Sequence, residues 1–393
     1  MLSVRRQAAI TGIGETEYNK RSGMTVKALQ IQAAVRAIED AGLKLADVDG
    51  IIPTASGGAE SPSAEDFGNN LGLPAINFSV TLHMGGASGT AGVFCAAMAV
   101  ATGVAKHVLV ISGRNGYSGA RVSQARAARG LEPQTAHQSM TLEFEAPFGL
   151  MVPMQYYALL AQRHMFQYGT TSRQMGSVAV AMRKHAALNP KALMKAPITL
   201  EDHEASQMLA DPFHLLDCCI ETDGATAILV SAAEAARDLK QKPVYILGGA
   251  MAHPDSPGCV STRPDLTLLG LAKAAPKAFA TAGVRPQEIK LAMLYDAFTI
   301  VPILHLENLG ICKPGEGGAF VEGGAIEIGG RLPINTHGGL HSQAHSMSGL
   351  NHQAEAVKQL RGQAGKAQVA DPEPCIVTGF GGFGCGSLVV LGR

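Results

Sequence analysis

Three histidines spaced four apart, a tyrosine beside an aspartate, and two glycine clusters are where this chain of 393 residues could do chemistry. His337, His341 and His345 lie in INTHGGLHSQAHSMSG (334–349) and would share a face if that run were helical. Its glycines predict a loop instead. No metal site is expected there, because the run lacks the glutamate of a HExxH helix. Tyr295 and Asp296 stand in LYDAFT (294–299), at the end of an apolar run. A tyrosine serves as general acid or base when its neighbours favour the phenolate, and Asp296 or a histidine is the expected orienting group. VTLHMGGASG (80–89) enters a helix through Gly86 and Ser88, and GFGGFGCG (379–386) carries Gly381 and Gly382. Backbone N–H groups in such turns can hold an oxyanion.

These four segments need a scaffold that brings strand ends and helix N-termini together, as open α/β sheets do. The chain carries such a scaffold twice. Residues 28–52 read as an alanine-rich helix, a stop at Gly42, a polar turn and a strand, and residues 269–293 repeat that grammar with a stop at Gly283. One constant offset carries Asp47 onto Glu288 and Ile51 onto Ala292. Ser88-Gly89 opens a helix leading to the strand HVLVISG (107–113), and Ser348-Gly349 opens one leading to CIVTGF (375–380). The expected architecture is α/β, with duplicated halves and mixed sheets. We place the first half at 1–243, with a helical insertion at about 114–215, and the second at 244–393. The join at 232–243 reads as a helix ending at a proline.

Composition narrows the class. Apolar residues make up 46% and charged residues 16%, which suits a well-buried enzyme and not a disordered chain. Net charge is zero and no long basic block occurs, so no nucleic-acid partner is expected. Seven cysteines without a CxxC pair predict neither a disulfide framework nor a zinc site. No apolar signal segment or span of about 18 apolar residues is read, so a soluble, cytoplasmic protein is expected.

The four segments, in this order, resemble the thiolase superfamily, in particular sterol-carrier-protein-type thiolases and their lipid-transfer-named relatives. The likeness extends to GIGETEY, DPFHLLDCCIETDGATAILVS (211–231), GEGGAFVEGG (315–324) and SLVVLGR (387–393). It implies two sandwiched mixed-sheet halves, an inserted loop domain over coenzyme A, and a homodimer. The departures carry the chemistry. The family's nucleophilic cysteine opens a Cys-Ala-Ser-Gly turn, which here reads Gly86-Ala87-Ser88-Gly89, and its second cysteine falls on Phe380. The family's Asn-Glu-Ala-Phe or His-Asp-Cys-Phe block reads Tyr295-Asp296-Ala297-Phe298, and the histidine of the Gly-His-Pro block is kept as His345.

Without an acyl-cysteine, the resemblance implies an enzyme that stabilises the enolate of an acyl-CoA thioester. His345 would donate to the thioester oxygen and Tyr295 would move protons. The leading expectation is retro-aldol cleavage of a β-hydroxyacyl-CoA, as in thiolase-like aldolases that shorten steroid side chains. The second tyrosine of those aldolases is missing here, with His341 or His345 available for its role. They work with a small zinc-ribbon/OB-fold partner, so such a companion is expected, with any zinc belonging to it and no covalently held cofactor in this chain. Arg183 and Lys184 are the candidate contacts for coenzyme A phosphates. The alternatives are a Claisen-type acyltransferase using Cys385 or direct transfer, and a non-catalytic acyl-CoA or lipid-binding scaffold. Cys218 and Cys219 read as structural.

Overall fold

The computed structural model describes residues 3–54, 63–119, 141–255, 260–345, 348–381 and 384–393. Among these, no helix is long and apolar enough to cross a membrane. In the first half, β1 (Ala8–Glu15), β2 (Gly50–Pro53), β3 (Phe78–Ser79) and β4 (His107–Asn115) precede a short ribbon of β5 (Met208–Ala210) and β6 (Phe213–His214). β7 (Asp223–Ala232) closes that half, and β8 (Val244–Ala252), β9 (Leu291–Met293), β10 (Cys375–Gly381) and β11 (Cys385–Gly392) form the second. The main sheet runs β3-β2-β4-β7-β1-β8-β11-β10-β9. β2 pairs with β4 and β9 with β10 in parallel, while β7 and β11 run antiparallel to both of their neighbours.

The duplication is therefore real. β8, β11, β10 and β9 repeat the order of β1, β7, β4 and β2, and the halves meet where Ala9 and Ile10 pair with Tyr245 and Val244. Strands buried along nearly their whole length, such as β7, need cover on both faces. Helix α1 (Val26–Ala41), capped by the Thr25 hydroxyl and ending at Gly42, covers the outside of the first half, together with α2 (Ala64–Leu71). Helix 270–282 packs on β8 and β11. Helix α3 (Ser88–Ala101) and helix 350–361 share a third apolar cluster with residues of both half-sheets, which makes them the central layer. At the join, the structure has only a short helix, Ala233–Ala236, in place of the longer one expected.

The chain between β4 and β7 supplies helices 153–168, 172–188 and 200–205. Each of the last two starts at a threonine whose hydroxyl accepts a backbone N–H. Their buried faces, with Tyr156, Tyr157, Met175, Val178 and Met182, join the core of the second half. The insertion thus lies against the segments that follow β9.

Candidate active site

The site starts where β9 stops. After Met293, the side-chain amide of Asn335 takes over the backbone pairing: its Oδ1 accepts the Leu294 N–H (2.8 Å) and its Nδ2 donates to the Leu294 carbonyl (2.7 Å). The Tyr295 N–H donates to Thr378 Oγ1 on β10 (3.1 Å). These clamps aim the Tyr295 side chain at the turn Gly85–Ala87 that precedes α3. A Cβ on Gly86 would overlap Tyr295 Cζ and Oη and the Phe380 carbonyl oxygen. The phenol therefore fills the space a residue-86 side chain would enter. Gly381 interlocks with the same turn, since a Cβ there would overlap the Met84 carbonyl oxygen.

His345 stands behind the phenol. Its Nε2 lies 3.3 Å from Tyr295 Oη, and its Nδ1 lies 3.1 Å from Cys219 Sγ. Residues read from three distant parts of the sequence thus form one chain of contacts, and Cys219 belongs to the site instead of the framework. Its neighbour Cys218 is the structural one, with Sγ against Met154 Sδ (3.8 Å) and the His214 carbonyl (3.6 Å). The loop carrying His345 is pinned from both halves. Its N–H donates to Thr222 Oγ1 (3.1 Å), the Ile220 N–H donates to the Leu340 carbonyl (3.1 Å), and Asn351 Nδ2 donates to Gln343 Oε1 (3.0 Å).

Electrostatics keep all three groups neutral. Burial raises the Tyr295 phenol above its ordinary value, Cys219 adds to this, and the Arg114 guanidinium opposes it. Burial likewise raises the Cys219 thiol. His345 is only half-buried as a residue, yet desolvation of its ring, with Arg114 as second cause, pushes its pKa down to about 3. The imidazole is thus a poor base and a ready neutral hydrogen-bond partner.

The other expected residues take supporting places. Asp296 is fully buried; it accepts the Leu340 N–H (2.9 Å) and a hydrogen bond from His352 Nε2 (3.0 Å). Burial works to raise this carboxyl, but the His352 hydrogen bond and charge more than offset it and its pKa is lowered. It orients the loop, and no hydrogen bond joins it to the phenol. His352, whose ring stacks on Tyr295 at 6.4 Å between centroids, was not singled out in the sequence, where it reads as one more helix residue. His337 packs edge-on against His352 (4.8 Å), and burial holds its pKa well below the ordinary value. His341 is buried on the short turn Gly339–Gln343. Neither His337 nor His341 makes a hydrogen bond to Tyr295; the loop is not a regular helix, so the spacing of four does not gather the three rings on one face.

Several binding assignments change. Ser88 is buried and its Oγ accepts the Met84 N–H (2.8 Å), so it builds the turn and is not turned toward a ligand. Gly382 lies outside the described residues. Arg183 is buried, donating from Nε to Ser342 Oγ (3.1 Å) and from Nη1 to the Ala196 carbonyl (3.0 Å), so it braces the histidine loop instead of meeting a phosphate. Lys184 is exposed and pairs with Glu327 (2.6 Å). Cys385 packs with Met84, Ala87 and Ala91, its Sγ 3.0 Å from His253 Nδ1. Burial, opposed by Arg263, raises its thiol to about 11, which disfavours a nucleophilic thiolate at neutral pH.

The insertion also brings Tyr157 to the site. The Tyr157 ring lies 4.6 Å from that of Phe298 and 5.2 Å from that of Phe380, which places it over the residues flanking the phenol. Elsewhere, His203, His214 and Asp217 bring ligand atoms within 4.8 Å of one another. Asp217 already accepts from His203 Nε2, the Thr299 hydroxyl and the His214 N–H, so a hydrogen-bonded cluster accounts for it.

Two interlocked halves with a bare glycine at the turn leading into α3, and a phenol in its place, define a thiolase fold that has lost its nucleophile. Residues 6–234 match the thiolase N-terminal domain and residues 252–393 the thiolase C-terminal domain-like family. The chain is 42% identical to the 17-hydroxy-3-oxo-4-pregnene-20-carboxyl-CoA lyase of Mycobacterium tuberculosis, over 98% of its own length and 99% of the relative. It is 39% identical to the steroid side-chain-cleaving aldolase of Thermomonospora curvata, over 98% of this chain and 97% of that protein. The solved Ltp2-ChsH2(DUF35) aldolase superposes with a TM-score of 0.91 at 39% identity, covering 100% of this chain and 99% of the other. The chain belongs to the thiolase superfamily, in its branch of aldolase-type enzymes without the catalytic cysteine.

Proposed function

We propose that this enzyme cleaves the Cα–Cβ bond of a β-hydroxyacyl-CoA with a bulky, steroid-like β-carbon, by proton exchange at Tyr295. The observation that carries this reading is the phenol occupying the space beside Gly86, with His345 behind it. In one relay the β-hydroxyl passes its proton to Tyr295 Oη while the phenol gives up its own, so Oη never carries two protons. The oxygen's electrons form the product ketone, the Cα–Cβ pair passes into the thioester enolate, and the phenol's own proton goes to Cα. The net change is one proton moved from oxygen to carbon, and the phenol is regenerated. His345 does not donate directly to the thioester oxygen in this scheme, because both of its nitrogens are engaged by Cys219 and Tyr295. Backbone N–H groups of the Gly86 turn supply the enolate's donors.

Coenzyme A enters as part of the substrate. The named substrate of the M. tuberculosis relative supports a steroid thioester. The similarity to the Ltp2-ChsH2(DUF35) aldolase supports a DUF35 partner, the zinc-ribbon/OB-fold companion expected from the sequence. A homodimer is part of the same reading. The test is incubation of the chain, with and without a DUF35 partner, with 17-hydroxy-3-oxo-4-pregnene-20-carboxyl-CoA. A 17-ketosteroid and propionyl-CoA in equal amounts are expected. Tight binding without turnover under either condition would instead identify a carrier, and a labelled acyl group on Cys385 an acyltransferase.

A further inference from the structure

The phenol acts in the proposed direction only if its proton points at the substrate, and that is decided one residue back, at the imidazole. Both His345 nitrogens have protein partners: Cys219 Sγ at Nδ1 (3.1 Å) and Tyr295 Oη at Nε2 (3.3 Å). A neutral imidazole has one N–H, so one partner must donate to the ring and the other accept from it. We infer that Cys219 is the positioning residue that sets this choice: its S–H donates to Nδ1, the ring proton sits on Nε2 and donates to Tyr295 Oη, and the phenol's O–H faces the substrate.

The hydrogen bonds around the ring support this direction. Nδ1 of His345 is the one partner of Cys219 Sγ among the described residues. If Nδ1 carried the proton, the S–H would lack an acceptor there and Nε2 would draw the phenol's proton inward, away from the substrate. With the thiol donating, both ring nitrogens and the phenol oxygen are satisfied. The Nε2–H also stabilises negative charge that develops on the phenol oxygen as its proton leaves. Burial supports the neutral forms required, by raising the thiol and lowering the imidazole. The segment position is fixed independently, because the Cys219 N–H donates to the Ala297 carbonyl (3.0 Å), tying it to the Tyr295 loop.

The consequence for turnover rests on the aldolase reading, but the tautomer does not, so the two can fail separately. The experiment is nitrogen NMR of ring-labelled full-length protein without substrate, with the His345 signals assigned by their loss in His345→Gln. Wild type and Cys218→Ala are expected to show an unprotonated Nδ1 and a protonated Nε2. Cys219→Ser, which keeps a donor, retains that pattern, whereas Cys219→Ala shifts the proton toward Nδ1. In steroid-CoA turnover, Cys219→Ala is expected to lose about tenfold in kcat, the size of one lost hydrogen bond, with KM little changed and Cys219→Ser restoring most of the rate. A protonated Nδ1 in the wild type overturns the inference without any variant. So does a Cys219→Ala protein with the wild-type tautomer. If that variant does not fold, loss of the pattern in folded Cys219→Ser overturns it equally.

Discussion

Two loops meet over Tyr295, and they contribute opposite things. Beyond Met84, the turn 84–89 of the first half offers backbone and small side chains, and its one hydroxyl, on Ser88, accepts the Met84 N–H. The loop 334–349 of the second half is crowded with imidazoles, and one of them reaches the phenol. In a fold built by duplication the two halves began with equal opportunity. In the proposed reaction the phenol and the imidazole come from the second half, while the first supplies the floor at Gly86 and the Cys219 thiol behind the ring. Glycine at position 86 offers no nucleophile and leaves the room that the Tyr295 phenol fills, so both features rest on one steric fact.

Removing the phenol should break this contrast most completely. Tyr295→Phe is expected to lower kcat at least about hundredfold, the usual contribution of positioned proton transfer, with the fold retained by circular dichroism. Retained activity would move the chemistry to the imidazole loop. Returning a side chain to the floor comes next. Gly86→Cys should cost about 1–3 kcal/mol in denaturant unfolding, as overpacking does, because its Cβ overlaps the phenol. Tyr295→Ala in the same chain should relieve part of that cost, though the Phe380 carbonyl still crowds the position. No stable acyl adduct should appear by intact mass in the single variant.

The imidazole loop can then be loosened without touching the phenol. Arg183→Ala removes donors to Ser342 and Ala196 and should destabilise by about 1–3 kcal/mol, lowering kcat more than it raises KM for the thioester. Acid should act on the buried rings of the insertion and of the second half as well. Burial lowers His185 to about 4 and His305 and His345 to about 3, against an ordinary value of 6.5. Below pH about 6.5 the unfolded chain binds protons that the folded one refuses, so stability should fall steadily as pH drops toward about 4. Denaturation midpoints across that range check the sign. The smallest effect belongs to Lys184→Ala, whose exposed pair with Glu327 should be worth no more than about 1 kcal/mol, with KM for the thioester unchanged.

Amino-acid order alone determined the duplication, the α/β class, the missing nucleophile at Gly86 and the presence of a phenol after β9. Each of these is local: a period, a turn signal, a residue type in a recognisable block. Folding decided which histidine faces the phenol, that Cys219 and not Cys218 lies behind it, that His352 stacks on it, and that Arg183 is a brace. Those outcomes depend on side chains far apart in the chain meeting across an interface between halves, in a buried place where every donor must find an acceptor. Spacing in a loop carries no such information, because a loop has no fixed period with which to predict where a side chain points.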